Sequence, residues 1–366
     1  MTRLTTRGIG GPRWRGVCSA CSQDTRMLQA FRVAGIPIRV DASWLLVFGL
    51  ISWSLASGYF PRVMPDASVG AAWLHGIVAA ALLFASVLLH ELSHALVAIE
   101  HGVPVAGIRL HVFGGVSEMV AEPPTPQAEA LIAGVGPLTS FVIAAVCYGM
   151  GRLVAGNPWM VALTGYLAAV NFIIALFNLV PGFPLDGGRL LRAMLWSWSG
   201  HFGWATRWAT RAGSTFALVL VALGVLRAVG GELVGGLWFV LIGLFLHQAA
   251  RSSLALAQIR EQLEPLRAED VMTPVPSTTD GSQPLAEAAA DGEQVSGDEA
   301  LLSPGAADAV APQASAWEAF LKLGVSRRGR VPVVDERSVV GVITQRDIQR
   351  VVGVERRRAD VARRAA

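Results

Sequence analysis

Residues 88–102, LLHELSHALVAIEHG, close one of the most apolar runs in the chain, and their HELSH segment sets two histidines, a glutamate and a serine into it. Ionisable groups in so apolar a segment are costly unless something engages them. His90, Glu91 and His94 have the spacing H-E-x-x-H, and their flanks, AAALLFASVLL and ALVAI, read as helix. Residues four apart share a helix face, so both imidazoles can reach one tetrahedral Zn²⁺ while Glu91 stands beside its open position. A metal would offset the burial that lipid penalises. Polar side chains joining neighbouring helices would account for one such residue, but poorly for all three at this spacing.

Outward from this stretch the chain stays apolar. Of its 366 residues 53% are hydrophobic and only 16% charged, too few charges for the surface of a soluble two-domain protein. A helix needs about 20 apolar residues to cross a hydrocarbon core. Such runs lie at 42–60, 74–99, 129–151, 159–180, 212–229 and 234–250. The expected fold is therefore an α-helical polytopic membrane protein with six transmembrane helices, followed from about residue 251 by a small α/β cytosolic domain. Arginines crowd the stretch before the first span and the loop between the fourth and fifth (Arg189, Arg192, Arg207, Arg211), whereas Arg62, Arg152 and Arg227 stand alone in the other loops. That asymmetry predicts a multi-pass protein of the cell membrane with both termini in the cytosol.

Residues 1–26 read as a disordered leader. It lacks the apolar centre of a signal peptide, and Met27 is a plausible start. Its lone C-x-x-C, Cys18 and Cys21, has no second pair or histidines near it to make a strong zinc site. The membrane domain is expected over 27–250. Between the second and third spans, VPVAGIRLHVFGGVSEMVAEPP (103–124) alternates apolar and polar residues around Gly114 and Gly115, which predicts a β-hairpin at the cytosolic interface. Protein or water must cover its edge, because lipid cannot satisfy backbone groups.

A catalytic zinc takes three protein ligands and leaves the fourth place to water. The H-E-x-x-H-x-x-G-x-x-H form is excluded, since Val97 and Glu100 stand where it needs Gly and His. Glu100 and His101 lie about 9 Å or more along the same helix from His94 and cannot return to its metal. The candidate is Asp186 in NLVPGFPLDGGR (178–189), where Pro181, Pro184 and three glycines break the fourth helix at its cytosolic end. A solvated aspartate in a Pro-Gly loop is the other reading.

With HELSH in a span, FGG in the hairpin, GVGPLTS (134–140) in the third span and NLVPGFPLDGG in the fourth, residues 30–250 resemble the site-2 protease family of intramembrane zinc metalloproteases. The resemblance implies His90, His94 and Asp186 as ligands of one Zn²⁺, Glu91 as catalytic base and Asn178 as a polar group near the reacting carbonyl. Zn²⁺ would acidify its water and polarise the scissile carbonyl, with Glu91 taking the proton. The substrate expected is a single-span membrane protein, cut near the cytosolic face in regulated proteolysis. The hairpin around Gly114 and Gly115 would bind the unwound substrate as an added strand, or else merely seal the interface. His90 lies about 15 Å of helical rise from the expected helix end near Glu100, so water must enter from the cytosol. Two other classes remain: a zinc-dependent adaptor that does not cut, for which Glu91 has no use, and a transporter regulated by its tail, for which breaks in corresponding halves are missing.

The tail begins with a linker helix and the start of a small motif (251–276). An insert poor in aromatics, 277–314, is disordered by composition. Order resumes over 315–354, and a basic tail, 355–366, follows. EDVMTPVP, WEAFLKLGVSRRGRVPVVDE and VVGVITQRDIQRVV resemble one CBS motif, with Thr344 and Asp347 matching its ribose-phosphate pattern. The resemblance implies ATP or another adenosine nucleotide as ligand. With one copy only, a complete pair needs a homodimer, and a vestigial dimerisation module is the alternative. The lipid bilayer is an expected partner, especially for the arginine-rich end. No nucleic-acid partner is expected.

Overall fold

A computed structural model describes residues 28–111, 114–119, 121–274, 309–326, 329–335 and 338–353. The leader with its C-x-x-C, most of the insert and the basic tail lie outside them. Contacts divide the chain into two units, 24–255 and a second that runs from Leu256 to the end.

The first unit opens with β1 (Leu28–Val33) and β2 (Ile36–Val40), a hairpin turning at Ala34 and Gly35, both with positive φ. Asp41 then caps α1 (Ala42–Val63) by accepting from the Ser43 N–H at 2.8 Å. α1 contains a π-helical turn, Leu55–Tyr59, and Gly76 of α2 (Val69–Glu100) fits against it where a Cβ would meet the Ser52 carbonyl oxygen at 2.8 Å. After β3 (Val105–His111) and β4 (Gly114–Met119) come α3 (Pro126–Leu153) and α4 (Pro158–Asn178). Both helices start as the sequence signals they should: Thr125 and Asn157 accept from the first turn, and Pro126 and Pro158 occupy positions that need no donor. α5 (Asp186–Ser199), α6 (Phe202–Val229) and α7 (Leu233–Leu263) complete the helices.

Six of these, all but α5, are long and apolar enough to cross a membrane. The protein is a multi-pass membrane protein. Several helices outrun their apolar stretches: α6 begins at Phe202 rather than 212, so Arg207 and Arg211 sit in its first turns instead of in a loop. At 28 residues α6 is about 42 Å long against a core of about 30 Å, which leaves room for polar turns beyond the lipid.

The expected lone hairpin is half of a four-stranded sheet, in the order β1-β2-β3-β4. β2 runs parallel to β3, with Ile38 opposite Ile108 and Val40 opposite Leu110. Ile38, Ile108 and Leu110 form one buried cluster with Ala95 of α2, while Arg39, Arg109 and Glu118 take the other face and pair there. The alternation was visible in 103–124, but its partner, 28–40, lies before the first span and gave no sign of pairing across it.

In the second unit β5 (Thr273–Pro274), β6 (Arg330–Asp335) and β7 (Ser338–Thr344) form a sheet ordered β5-β7-β6. It packs with α8 (Ala268–Val271), α9 (Ala316–Val325) and a last helix, α10 (345–353), around Leu263, Val310, Trp317, Val333 and Ile343. Order resumes earlier than composition suggested. Val310, 3% exposed, bridges to Val333, so residues 309–314 belong to this core rather than to a disordered insert.

Candidate metal centre

α2 carries His90 and His94 on its buried face, 4% and 3% exposed. Asp186 comes to them from the first turn of α5, through the loop that follows α4. Its position is set by glycines. A Cβ on Gly187 would strike the Leu179 and Val180 carbonyls, one on Gly188 the backbone of Gly182 and Phe183, and one on Gly213 of α6 the backbone of Phe183. The loop is thus pressed between the end of α4, the start of α5 and the flank of α6. Asp186 is therefore not inside the break but at the start of a new helix, whose length the sequence reading did not foresee.

The result is a close triad. His90 Nε2 and His94 Nε2 are 3.1 Å apart, and Asp186 Oδ2 lies 3.3 Å from the first and 3.2 Å from the second. The opposite side of each ring is fixed. His94 Nδ1 donates to the Ile132 carbonyl at 2.5 Å, and His90 Nδ1 lies 2.9 Å from Ser140 Oγ. Both partners belong to α3, beside Pro137, whose missing N–H loosens that turn. Gly136 faces the triad directly; a Cβ there would stand 2.6 Å from His90 Nε2 and closer still to His94 Nε2.

These residues fit zinc. His94, whose Nδ1 proton goes to Ile132, turns the Nε2 lone pair towards His90 Nε2 and a carboxylate oxygen, a convergence of ligand atoms that a cation relieves. Ligand atoms about 2.0 Å from a tetrahedral ion lie roughly 3.3 Å apart, close to the spacing observed. Among the described residues this is the group of three His, Cys, Asp or Glu side chains able to hold a metal.

Glu91 turns towards β4. Its Oε2 accepts from the Ser117 N–H at 3.1 Å and the Ser117 hydroxyl at 3.0 Å, and that hydroxyl is also 2.9 Å from the Glu91 carbonyl. Gly115 makes room for it: a Cβ would come 2.5 Å from Glu91 Cγ. Gly114, at φ 117°, opens β4 opposite His111. Asn178 is the last residue of α4 and half-buried, on the helix end against which Gly187 packs.

Three contributors escaped the sequence reading. Ser117 and Ser140 are small polar residues whose role depends on which helix they meet, although Gly136 and Ser140, four apart in GVGPLTS, share one helix face. The third is a buried cluster. Arg192 of α5 donates from Nε to Glu129 Oε1 at 2.7 Å and from a terminal nitrogen to Glu122 Oε2 at 3.0 Å, with its guanidinium 4.9 Å from the Phe183 ring and 4.6 Å from that of Phe202. It anchors α5, and hence Asp186, to the start of α3.

In the second unit Thr344 and Asp347 do come together. Asp347, 3% exposed, accepts from the Thr344 N–H at 2.9 Å, the Thr344 hydroxyl at 2.7 Å and the Thr273 hydroxyl at 3.0 Å. Both its oxygens serve the domain's own fold.

The model of peptidase family M50 matches residues 78–221, and that of the CBS domain residues 308–353. The chain is 41% identical over 253 residues to a protein of Mycobacterium tuberculosis provisionally named zinc metalloprotease Rip3; the match takes in 68% of this chain and 64% of that one. It is 30% identical over 254 residues to a zinc metalloprotease of Methanocaldococcus jannaschii, 68% of this chain and 67% of the other. Among solved structures, a site-2 protease from Methanocaldococcus jannaschii shares 30% identity and a TM-score of 0.44, over 62% of this chain and 95% of that one.

Proposed function

Since this chain belongs to peptidase family M50, the site-2 protease family, and ends in a CBS domain, we propose that it is an intramembrane zinc endopeptidase. Its substrates would be single-span membrane proteins, cut near the cytosolic face in regulated proteolysis. The observation that carries this reading is the convergence of His90, His94 and Asp186, from helices 96 residues apart in sequence, to within 3.3 Å, beside a glutamate.

His90, His94 and Asp186 would hold the ion, with Ser140 and the Ile132 carbonyl keeping each Nε2 turned inward. Zn²⁺ in such a setting supplies Lewis acidity towards a water and a peptide carbonyl. Glu91, adjacent to the first ligand, takes the proton of the attacking water and passes it to the leaving amine. Asn178, on the neighbouring helix end, is the donor available to the developing oxyanion. A helical substrate must unwind to expose its carbonyl, and the free edge of β4 offers the extended segment backbone partners. The tail would sense an adenosine nucleotide through a homodimer.

The test is a reconstituted, zinc-loaded protein offered a single-span substrate. Glu91→Gln should abolish cleavage while keeping its zinc. Asp186→Ala should lose both zinc and cleavage. Cleavage surviving in either variant defeats the assigned roles.

A further inference from the structure

The contact between Glu91 and Ser117 is more than a packing detail. In an antiparallel pair residues directly opposite one another share a face, so Ile108 with Ser117, and Leu110 with Gly115, all look towards α2. On β3 that face is filled by large apolar side chains, 0% and 5% exposed. On β4 it is cut back to Gly and Ser, and Glu91 occupies the space. The Ser117 N–H leaves the ladder, since it donates to Glu91 Oε2. Because β4 ends the sheet, this N–H is one that an added strand would use. One carboxylate oxygen therefore holds both the serine hydroxyl and a donor of the sheet's open edge.

We propose that Ser117 is a substrate-responsive positioning residue for Glu91. With the edge empty, its N–H and O–H together hold the carboxylate against β4. An extended segment that adds to the edge takes the N–H for its own carbonyl. Glu91, kept by the hydroxyl alone, then turns towards the reacting water, so that base and substrate strand arrive together. This inference rests on the peptidase reading above and names how that site is switched on.

The experiment uses the full-length, zinc-loaded protein in liposomes, with a synthetic single-span peptide carrying one Asn-Gly break as probe. Ser117→Ala should lower kcat about tenfold, a fraction of what general-base catalysis contributes. KM should stay within about twofold, because the alanine keeps the edge N–H. Bound zinc should be unchanged, since Ser117 touches no ligand. Ser117→Thr, which keeps the hydroxyl, should restore most of kcat. Equal losses in the alanine and threonine variants, or a change confined to KM, would overturn the role. A binding measurement on uncut peptide separates this from the peptidase reading. Glu91→Ala vacates the N–H and should bind the peptide more tightly than Glu91→Gln, which retains an acceptor for Ser117; equal affinities would overturn the competition. Should the wild-type protein leave the peptide whole while that difference persists, the peptidase reading fails and the competition at Ser117 stands.

Discussion

His90 and His94 need company that only small residues permit. Gly136 lies against both Nε2 atoms, so its hydrogen side chain defines the wall of the metal centre. Even one methyl group there must push the imidazoles apart, because α3 is held in place by the bonds from His94 to Ile132 and His90 to Ser140. Gly136→Ala should therefore cut zinc affinity by about tenfold or more, measured as metal retained against a competing chelator, while the helical content read by circular dichroism stays unchanged. The ligand spacing H-E-x-x-H was legible because it is local: a helix of any origin places i and i+4 on one face. Gly136 and Ser117 were not, because their importance comes from what stands opposite them.

At the level of elements, α5 was hidden. Its sequence, DGGRLLRAMLWSWS, follows two prolines and has two glycines directly after its first residue, signals that argue for a loop. Contact with α4 and α6 overrides them: the glycines are there to let three backbones touch. Arg192 then fixes the helix by its ion pair with Glu129, which is 0% exposed and has a second oxygen without a partner among the described residues. Removing one member of a buried pair strands the other charge and costs about 3–5 kcal/mol. Arg192→Ala should accordingly lower the thermal midpoint and, by loosening Asp186, the zinc bound per chain. Arg211→Ala, whose guanidinium lies over the exposed Trp208 ring, should leave both nearly unchanged. The sheet teaches a related lesson. β3 and β4 announce themselves by alternation, whereas β1 and β2 are recruited from before the first span, a pairing of long sequence separation that no local pattern encodes.

For the whole molecule, the arginine asymmetry leads to a topological prediction. With Cys18, Cys21 and Cys147 replaced by serine, a cysteine introduced as His201→Cys, between α5 and α6, should react with a membrane-impermeant maleimide from the cytosolic side only. One introduced as Asp66→Cys, between α1 and α2, should react only from the opposite side; both positions are exposed. Labelling in the reverse sense would invert the orientation and move the metal centre to the outer face. By itself the sequence determined the membrane class, the six spans and the identity of the zinc-binding motif, because hydrophobic length and helical period are properties of contiguous residues. Only the tertiary structure decided that Asp186 meets the histidines, that Gly136 walls them, and that a strand edge holds Glu91 through Ser117. Those facts depend on how closely separate backbones approach, and that distance is fixed by packing between segments rather than by the order of residues within any one of them.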